Sequence, residues 1–386
     1  MMRLAACRRL GPQVAVLLAL AGGAAAAPPA AVPTAPFNDG VNHWRSGHGA
    51  DYARLDPADY RQIADTIVLL QRASGGWPVN QDPLRVLDTA ARQALEAART
   101  LPGGSFDNRS TYTHMDYLAH AWDRSQDVRY RAAALRGLDF ILDEQILGCG
   151  GWPHSVPATS DYQSRITFAD DVTTGVLATL RQVRQAPRYR FVDAARRQRV
   201  DAAIARGDAC LLRLQVRQNT TRAIWAGQYD PQTLQPAPGR RFELAALVTD
   251  ESVGVVRYLM GIDQPSAEVQ AAVEGALAWF AANALQGVRL ETFDAPPAQY
   301  AFHRSTIDRR LVADPAAPPL WGRFHDLADN RVVLADREGN RLSDYTQVTR
   351  ERRSGYHWYG TWPQALLERD APAWRARLKV PAPTPP

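Results

Sequence analysis

Residues 150–171 read GGWPHSVPATSDYQSRITFADD. A helix-like run from Tyr130 to Gln145 ends just before this stretch, and another, from Asp171 to Val183, begins at its end. Connections of this length are functional loops or disordered segments. This one carries Trp152, His154, Tyr162, Arg165 and the adjacent carboxylates Asp170 and Asp171, not the Ser, Gly and Glu mixture of disordered chain. It reads as a sugar-binding and metal-binding rim between two helices.

The pattern recurs on both sides. Upstream, YRQIADTIVLLQ from Tyr60 leads to Gly75-Gly76-Trp77-Pro78. In the middle, YRAAALRGLDFILDEQ from Tyr130 leads to Gly150-Gly151-Trp152-Pro153, and downstream VDAAIARGDACLLRLQ from Val200 leads through a loop to Trp225. The tryptophans recur about every 75 residues, and Gln71, Gln145 and Gln215 close the first helix of each unit. Second helices open at Phe106-Asp107-Asn108, Asp170-Asp171 and Thr249-Asp250-Glu251. Helix–loop–helix units of this kind bury their apolar faces against their neighbours. The expected fold is mainly α, an (α/α)₃ barrel or toroid of helical hairpin repeats with long loops. An open solenoid is the alternative; closure is favoured because the units are few, long and rich in loops. Arg331-Val332-Val333-Leu334 and the turn from Asp336 to Asn340 predict a small β-hairpin near the C-terminus.

If the units are equivalent, Asp107, Asp170 and Asp250 mark the N-terminal ends of inner helices on one rim. Aspartate is a preferred N-cap, which is the simpler role for Asp250. Asp107 and Asp170 are each followed by a further polar group, Asn108 and Asp171. One carboxylate suffices to cap, which leaves the others free for a cation, and hard oxygen ligands from several segments suit Ca²⁺ better than zinc. Asp171 is either a second ligand of this kind or only the cap of its helix.

The 386-residue chain is 46% hydrophobic and 22% charged, an ordinary globular composition for one large or two small domains. Arg3, Arg8 and Arg9, the apolar run from Val14 to Ala21 and the small residues Ala24 to Ala27 predict a secretory signal peptide over residues 1–27. A short retained membrane helix is the alternative, and no other apolar run has spanning length. Pro-rich segments at 28–36 and 381–386 flank a single catalytic domain, 37–380. Loss of the three arginines lowers the formal net charge from +5 to about +2, so a nucleic-acid partner is not expected. Positive charge is carried by arginine, with Lys379 the sole lysine; arginine suits bidentate recognition of carboxylates. Cys7 leaves with the signal, Cys149 and Cys210 could pair in an oxidising compartment, and no spacing suggests a zinc site. Late in the chain, Tyr356-His357-Trp358-Tyr359 follows Arg352-Arg353. That cluster reads either as core or as a sugar platform beside guanidinium donors.

Taken together, Ser105-Phe106-Asp107-Asn108, Gly150-Gly151-Trp152-Pro153, Ile166-Thr167-Phe168-Ala169-Asp170-Asp171, the segment Gln235-Pro236-Ala237-Pro238-Gly239-Arg240-Arg241-Phe242-Glu243-Leu244, Trp321-Gly322-Arg323-Phe324 and Glu351-Arg352-Arg353-Ser354-Gly355-Tyr356 resemble the pectate lyases of polysaccharide lyase family ten. The match runs in order over about residues 60–363. Two departures stand out. Arg109-Ser110-Thr111 occupies the place of the family's usual Gly-Ala-Thr, and Ala245-Ala246-Leu247-Val248-Thr249 replaces a segment rich in Pro, Ser and Leu.

The resemblance implies a mainly helical (α/α)₃ toroid and Ca²⁺-dependent β-elimination of polygalacturonate. It places the motif carboxylates on Asp107 and Asp170 and the catalytic arginine on Arg240. Removal of the C5 proton requires that the neighbouring substrate carboxylate be neutralised. A guanidinium pKa above about 12 makes arginine an awkward base, so an alkaline optimum is expected. Arg165, Arg323 and Arg353 are expected to hold substrate carboxylates, with Trp152, Tyr162, His154 and Tyr356 flanking the groove. The expected protein is a secreted monomer, extracellular or periplasmic, free of the membrane after signal cleavage. Two other classes remain open: an (α/α) glycoside hydrolase using a carboxylate pair and water, and a non-catalytic pectin-binding protein.

Overall fold

Each first helix of the repeat ends where a glutamine turns back upon it. The computed structural model describes residues 31–301 and 303–379; the expected signal peptide, part of the Pro-rich linker and the Pro-rich tail lie outside the described residues. Apolar residues at helical spacing form α1 (Asn38–His48), α2 (Tyr60–Leu70), α3 (Thr89–Ala98), α4 (Tyr112–Ser125), α5 (Val128–Asp143), α6 (Val172–Gln185), α7 (Ala194–Leu214), α8 (Thr249–Met260) and α9 (Ala267–Ala282). Asp88, Asp127, Asp193 and Ser266 cap α3, α5, α7 and α9 by accepting first-turn backbone N–H groups. Near the C-terminus lie α10 (Arg350–Gly355), α11 (Trp362–Ala365) and α12 (Ala371–Lys379).

Helices α2, α5, α7 and α9 pack in sequence as one layer, and α4, α6, α8 and α11 as a second. Among the described residues, no contact of similar extent joins α2 to α9 or α4 to α11. The fold is mainly helical with small sheets. From Val32 onward it forms one compact unit, and none of its described helices is long and apolar enough to cross a membrane.

The repeat is locked by buried polar groups. The side-chain amides of Gln71, Gln145 and Gln215 donate to Gly75, Gly150 and Ala223 carbonyls, and again to Ala133, Ala203 and Ala272 of the next unit, all within 2.7–2.9 Å. Their Oε1 atoms accept from Arg136, Arg206 and Arg222. Trp77, Trp152 and Trp225 are fully buried, and their indole N–H groups donate to Ile67, Ile141 and Leu211 carbonyls at 2.7–2.8 Å. Buried polar groups need such partners, so each bond fixes a loop to its helix. The paired glycines ahead of two tryptophans follow from the backbone. Gly75 (φ +98°) and Gly150 (φ +124°) are left-handed, and a Cβ on either would lie 2.3–2.4 Å from the carbonyl oxygen of Arg136 or Arg206.

A fourth unit is present. Trp321 is buried, and its indole donates to the Phe280 carbonyl of α9 at 2.8 Å, as the other three do to their helices. An antiparallel hairpin of Val288–Gln299 and Arg304–Ala313 is inserted between them. The smaller expected hairpin is also present, Leu334–Ala335 pairing with Arg341–Leu342. A second apolar core, built on Phe242, Phe324, Tyr345, Tyr356, Trp358 and Tyr359, sits apart from the helical core. Cys149 and Cys210 form a disulfide with Cα atoms 5.1 Å apart, tying the rim loop to α7.

Candidate active site

The rims are built by two short turns, Asp107–Arg109 and Ala169–Asp171. Asn108 (φ 47°) and Arg109 (φ 59°) are left-handed, as are Asp170 (φ 52°) and Asp171 (φ 56°). Such conformations are tolerated by Asn and Asp and costly for most other residues. Thr111 and Thr173 set the register: each hydroxyl donates to the Ser105 or Thr167 carbonyl at 2.7 Å and accepts from the Trp77 or Trp152 N–H. This equates Asn108 with Asp170, Arg109 with Asp171 and Asp107 with Ala169. The expected equivalence of Asp107 and Asp170 is therefore wrong by one residue, although the two carboxylates still meet.

In the third unit Ser252 takes the threonine's place against Trp225 N–H. Val248 N–H donates to Trp225 O as Ser105 and Thr167 do to their tryptophans. Only Thr249, Asp250 and Glu251 then separate the two positions, so no third left-handed turn forms. Asp250 lies within the first turn of α8, and no side chain caps that helix. Asp171 occupies the N-cap position of α6 without a side-chain capping bond.

A cavity of about 230 Å³ opens between these rims and the second core. One wall is acidic. His154 Nε2 lies 3.1 Å from Asp107 Oδ2, and its ring meets Tyr162 edge-on at 5.2 Å. Burial opposes the Asp107 charge, but His154 and the hydrogen-bonded side chain of Asp170 outweigh it and hold Asp107 below the usual carboxylate range. Asp170 opens into the cavity, where loss of water and the facing charges of Asp107 and Glu251 push it well above that range, against Arg323 and Arg240. Asn108 donates to Asn80 Oδ1 at 2.7 Å.

The other wall is basic and internally paired. Glu243 accepts from Arg240 Nε at 3.0 Å and Nη2 at 2.5 Å, and from Tyr356 Oη at 2.8 Å. Burial disfavours the Arg240 charge, yet Glu243 more than offsets this and raises its pKa. Arg323 bonds Glu251 at 2.5 Å, approaches Asp250 at 3.5 Å and lies over the Tyr356 ring at 5.0 Å. Burial and Glu251 push Asp250 up to about 7.

Asp107, Asp170, His154, Tyr162, Arg240, Arg323 and Tyr356 thus line one cavity. Four other expected residues stand apart from its lining. Trp152 lies in the helical core with no exposed surface. Arg353 pairs with Asp308 at 2.7 Å and fastens α10 to the long hairpin. Asp171 points out of the cavity and pairs with Arg109 at 2.6 Å. Arg165 bonds the Pro238 carbonyl beside the cavity. Sequence reading missed Glu243, Glu251, Gln228 and Asn80. Glu243 was signalled by its place three residues after Arg240.

The donor set was tested against calcium. No group of three or more His, Cys, Asp or Glu side chains forms a metal cluster among the described residues. The carboxylates of Asp107 and Asp170 interact, and the buried oxygens Glu251 Oε2 and Gln228 Oε1 lack hydrogen-bond partners. These are hard oxygen donors, the kind that calcium takes six to eight of.

Carboxylates and guanidinium groups thus share one cleft carried on helical hairpins, an arrangement suited to an anionic ligand. The chain belongs to the pectic acid lyase family, whose model matches residues 71–367. It is similar to the family 10 polysaccharide lyase from Cellvibrio cellulosa, with 25% identity and a TM-score of 0.68 over 89% of this chain and 99% of that one. An aspartate-to-alanine mutant of a family 10 polysaccharide lyase from the same organism, in complex with trigalacturonic acid, matches with 26% identity and a TM-score of 0.67 over 87% of this chain and 95% of that one. No curated protein matches the chain.

Proposed function

We propose that this chain cleaves polygalacturonate by β-elimination at the 230 Å³ cavity. The observation that carries this is the buried Asp107–Asp170 pair sharing one cavity with Arg240. Asp107 and Asp170 would hold calcium. When bound, the ion neutralises the substrate carboxylate, acidifies C5–H and stabilises the developing enolate. Arg240 accepts the C5 proton in its neutral form. The C4–O4 bond breaks, a C4=C5 double bond forms, and O4 leaves as an alkoxide that takes its proton from water. Glu243 holds Arg240 charged in the resting site, which is why an alkaline optimum accompanies this base. Arg323 offers a guanidinium to a substrate carboxylate, while His154 and Tyr162 border the sugar.

Rim turns of successive hairpins line this one cavity, as those of a closed ring of hairpins would. The disulfide and the basic-then-apolar N-terminus support secretion through an oxidising compartment. The deciding experiment incubates the protein with polygalacturonate, with calcium or with EGTA, and follows absorbance of the unsaturated product. Calcium-dependent absorbance is expected. Reducing ends without an unsaturated product would instead indicate hydrolysis, and saturable binding without either product a non-catalytic role.

A further inference from the structure

The two left-handed rim turns place consecutive side chains on opposite sides. Asn108 and Asp170 face the cavity just described; Arg109 and Asp171, the next residues, face a separate groove between α4, α6 and α8. The two sides differ in charge. In front, Asp107 and Asp170 are like charges that repel when both are ionised. Behind, the repeat-equivalent positions carry opposite charges, with Arg109 Nη2 2.6 Å from Asp171 Oδ2. Arg109 Nε also lies 3.3 Å from Asp39 of α1, so one guanidinium joins both rim turns and a third element.

The local backbone makes this arrangement costly. Arg109 holds φ 59°, where glycine would be unstrained, so its side chain must contribute something that offsets the conformation. No part of the elimination chemistry uses it.

We propose that the Arg109–Asp171 pair is a positioning strut that holds the turns Asp107–Arg109 and Ala169–Asp171 together and thereby sets the affinity of the Asp107–Asp170 pair for its cation. This rests on the reading of that pair as a calcium site. The strut acts through the backbone of residues 108–109 and 170–171, because neither charged group reaches the cavity. Each of the two side chains keeps about two-fifths of its surface open. Its coupling is therefore that of a partly exposed ion pair, which corresponds to a change of about fivefold in a binding constant.

The test titrates calcium by calorimetry into Arg240→Ala protein with trigalacturonate present, a complex that does not turn over on the reading above. In this background Arg109→Gln, Asp171→Asn and their combination are compared. Each single change is expected to weaken calcium binding about fivefold, and the double change no further, because both remove one interaction. Arg109→Lys keeps one bond to Asp171 and recovers part of the affinity, which a general loss of folding would not allow. Thermal melting of each variant accompanies the titration. Unchanged calcium affinity in both single variants overturns the strut while leaving the site standing. Additive losses in the double variant overturn it equally. If the parent protein binds no calcium, the reading of the site fails, and the strut with it.

Discussion

The cavity has an acidic wall from the first two rim turns and a basic wall from later in the chain, and the two differ in how their charges are balanced. The rim turns supply Asp107, which pairs with His154, and Asp170, which faces the charges of Asp107 and Glu251 in a buried position. Arg240, Glu243, Arg323 and Tyr356 form the other wall, where each guanidinium already has a carboxylate, Glu243 or Glu251. The acidic wall is thus prepared to receive positive charge, and the basic wall to hold geometry until substrate arrives. Preorganised charge of this kind does not have to be rearranged during the reaction.

The comparison breaks first at Arg240. If the basic wall carries the proton transfer, Arg240→Ala lowers kcat on polygalacturonate by about 10³, within the range for loss of a general base. The unsaturated product's absorbance reads this directly. Near-normal turnover would mean that the base lies elsewhere. A smaller loss, about 10²-fold at limiting calcium, is expected for Asp170→Asn. The same change should stabilise the substrate-free protein above about pH 4, because Asp170 is destabilised by ionising beside Asp107 and Glu251. Opposite movement of activity and melting temperature distinguishes a functional carboxylate from a structural one. If both fall together, the acidic wall is not strained in the way described.

The two walls also differed in legibility. Gly-Gly-Trp-Pro and the closing glutamines recur because each unit solves the same buried hydrogen-bond problem, so three units could be read from sequence. The fourth escaped because the hairpin Val288–Gln299 and Arg304–Ala313 separates Phe280 from Trp321. Asp107 and Asp170 line one cavity, yet not in the expected register, because the threonines that fix it, Thr111 and Thr173, lie beyond the carboxylates. On the basic wall no period exists to read. Arg240 came from its motif alone; its partner Glu243 is local, three residues on, but the contact between Arg323 and Glu251, which are 72 residues apart, is a tertiary fact. Arg353 illustrates the limit: a cationic residue beside aromatic ones reads as a ligand group until Asp308 is found beside it.

Trp152 sharpens the contrast within the repeat itself. It stands two residues before His154, which lines the cavity, yet its indole N–H is spent on Ile141 O inside the core. Trp152→Phe keeps most of the ring and leaves that carbonyl unpaired, so a loss of about 1–3 kcal/mol in unfolding free energy is expected. KM for polygalacturonate should not change. A raised KM at unchanged stability would return Trp152 to the groove.

The smallest effect is expected at Asp250, where the two walls meet. It stands in the first turn of α8, 3.5 Å from Arg323 and beside Glu251. Burial and the Glu251 charge raise its pKa to about 7, and Arg323 only partly opposes them. For an acid raised in the folded state, the unfolded chain ionises first. Below the ordinary value of 3.8 both states are protonated and nothing is lost; as pH rises toward 7 the folded protein loses stability relative to the unfolded chain. Asp250→Asn removes that loss, so its melting temperature should equal the parent's near pH 3.5 and exceed it modestly at pH 8. The gain is limited because about a third of the side chain is open to water. An Asp250→Asn variant that melts lower than the parent at pH 8 would show that the Asp250–Arg323 contact stabilises more than burial beside Glu251 costs, and would extend the internal pairing of the basic wall to this residue as well.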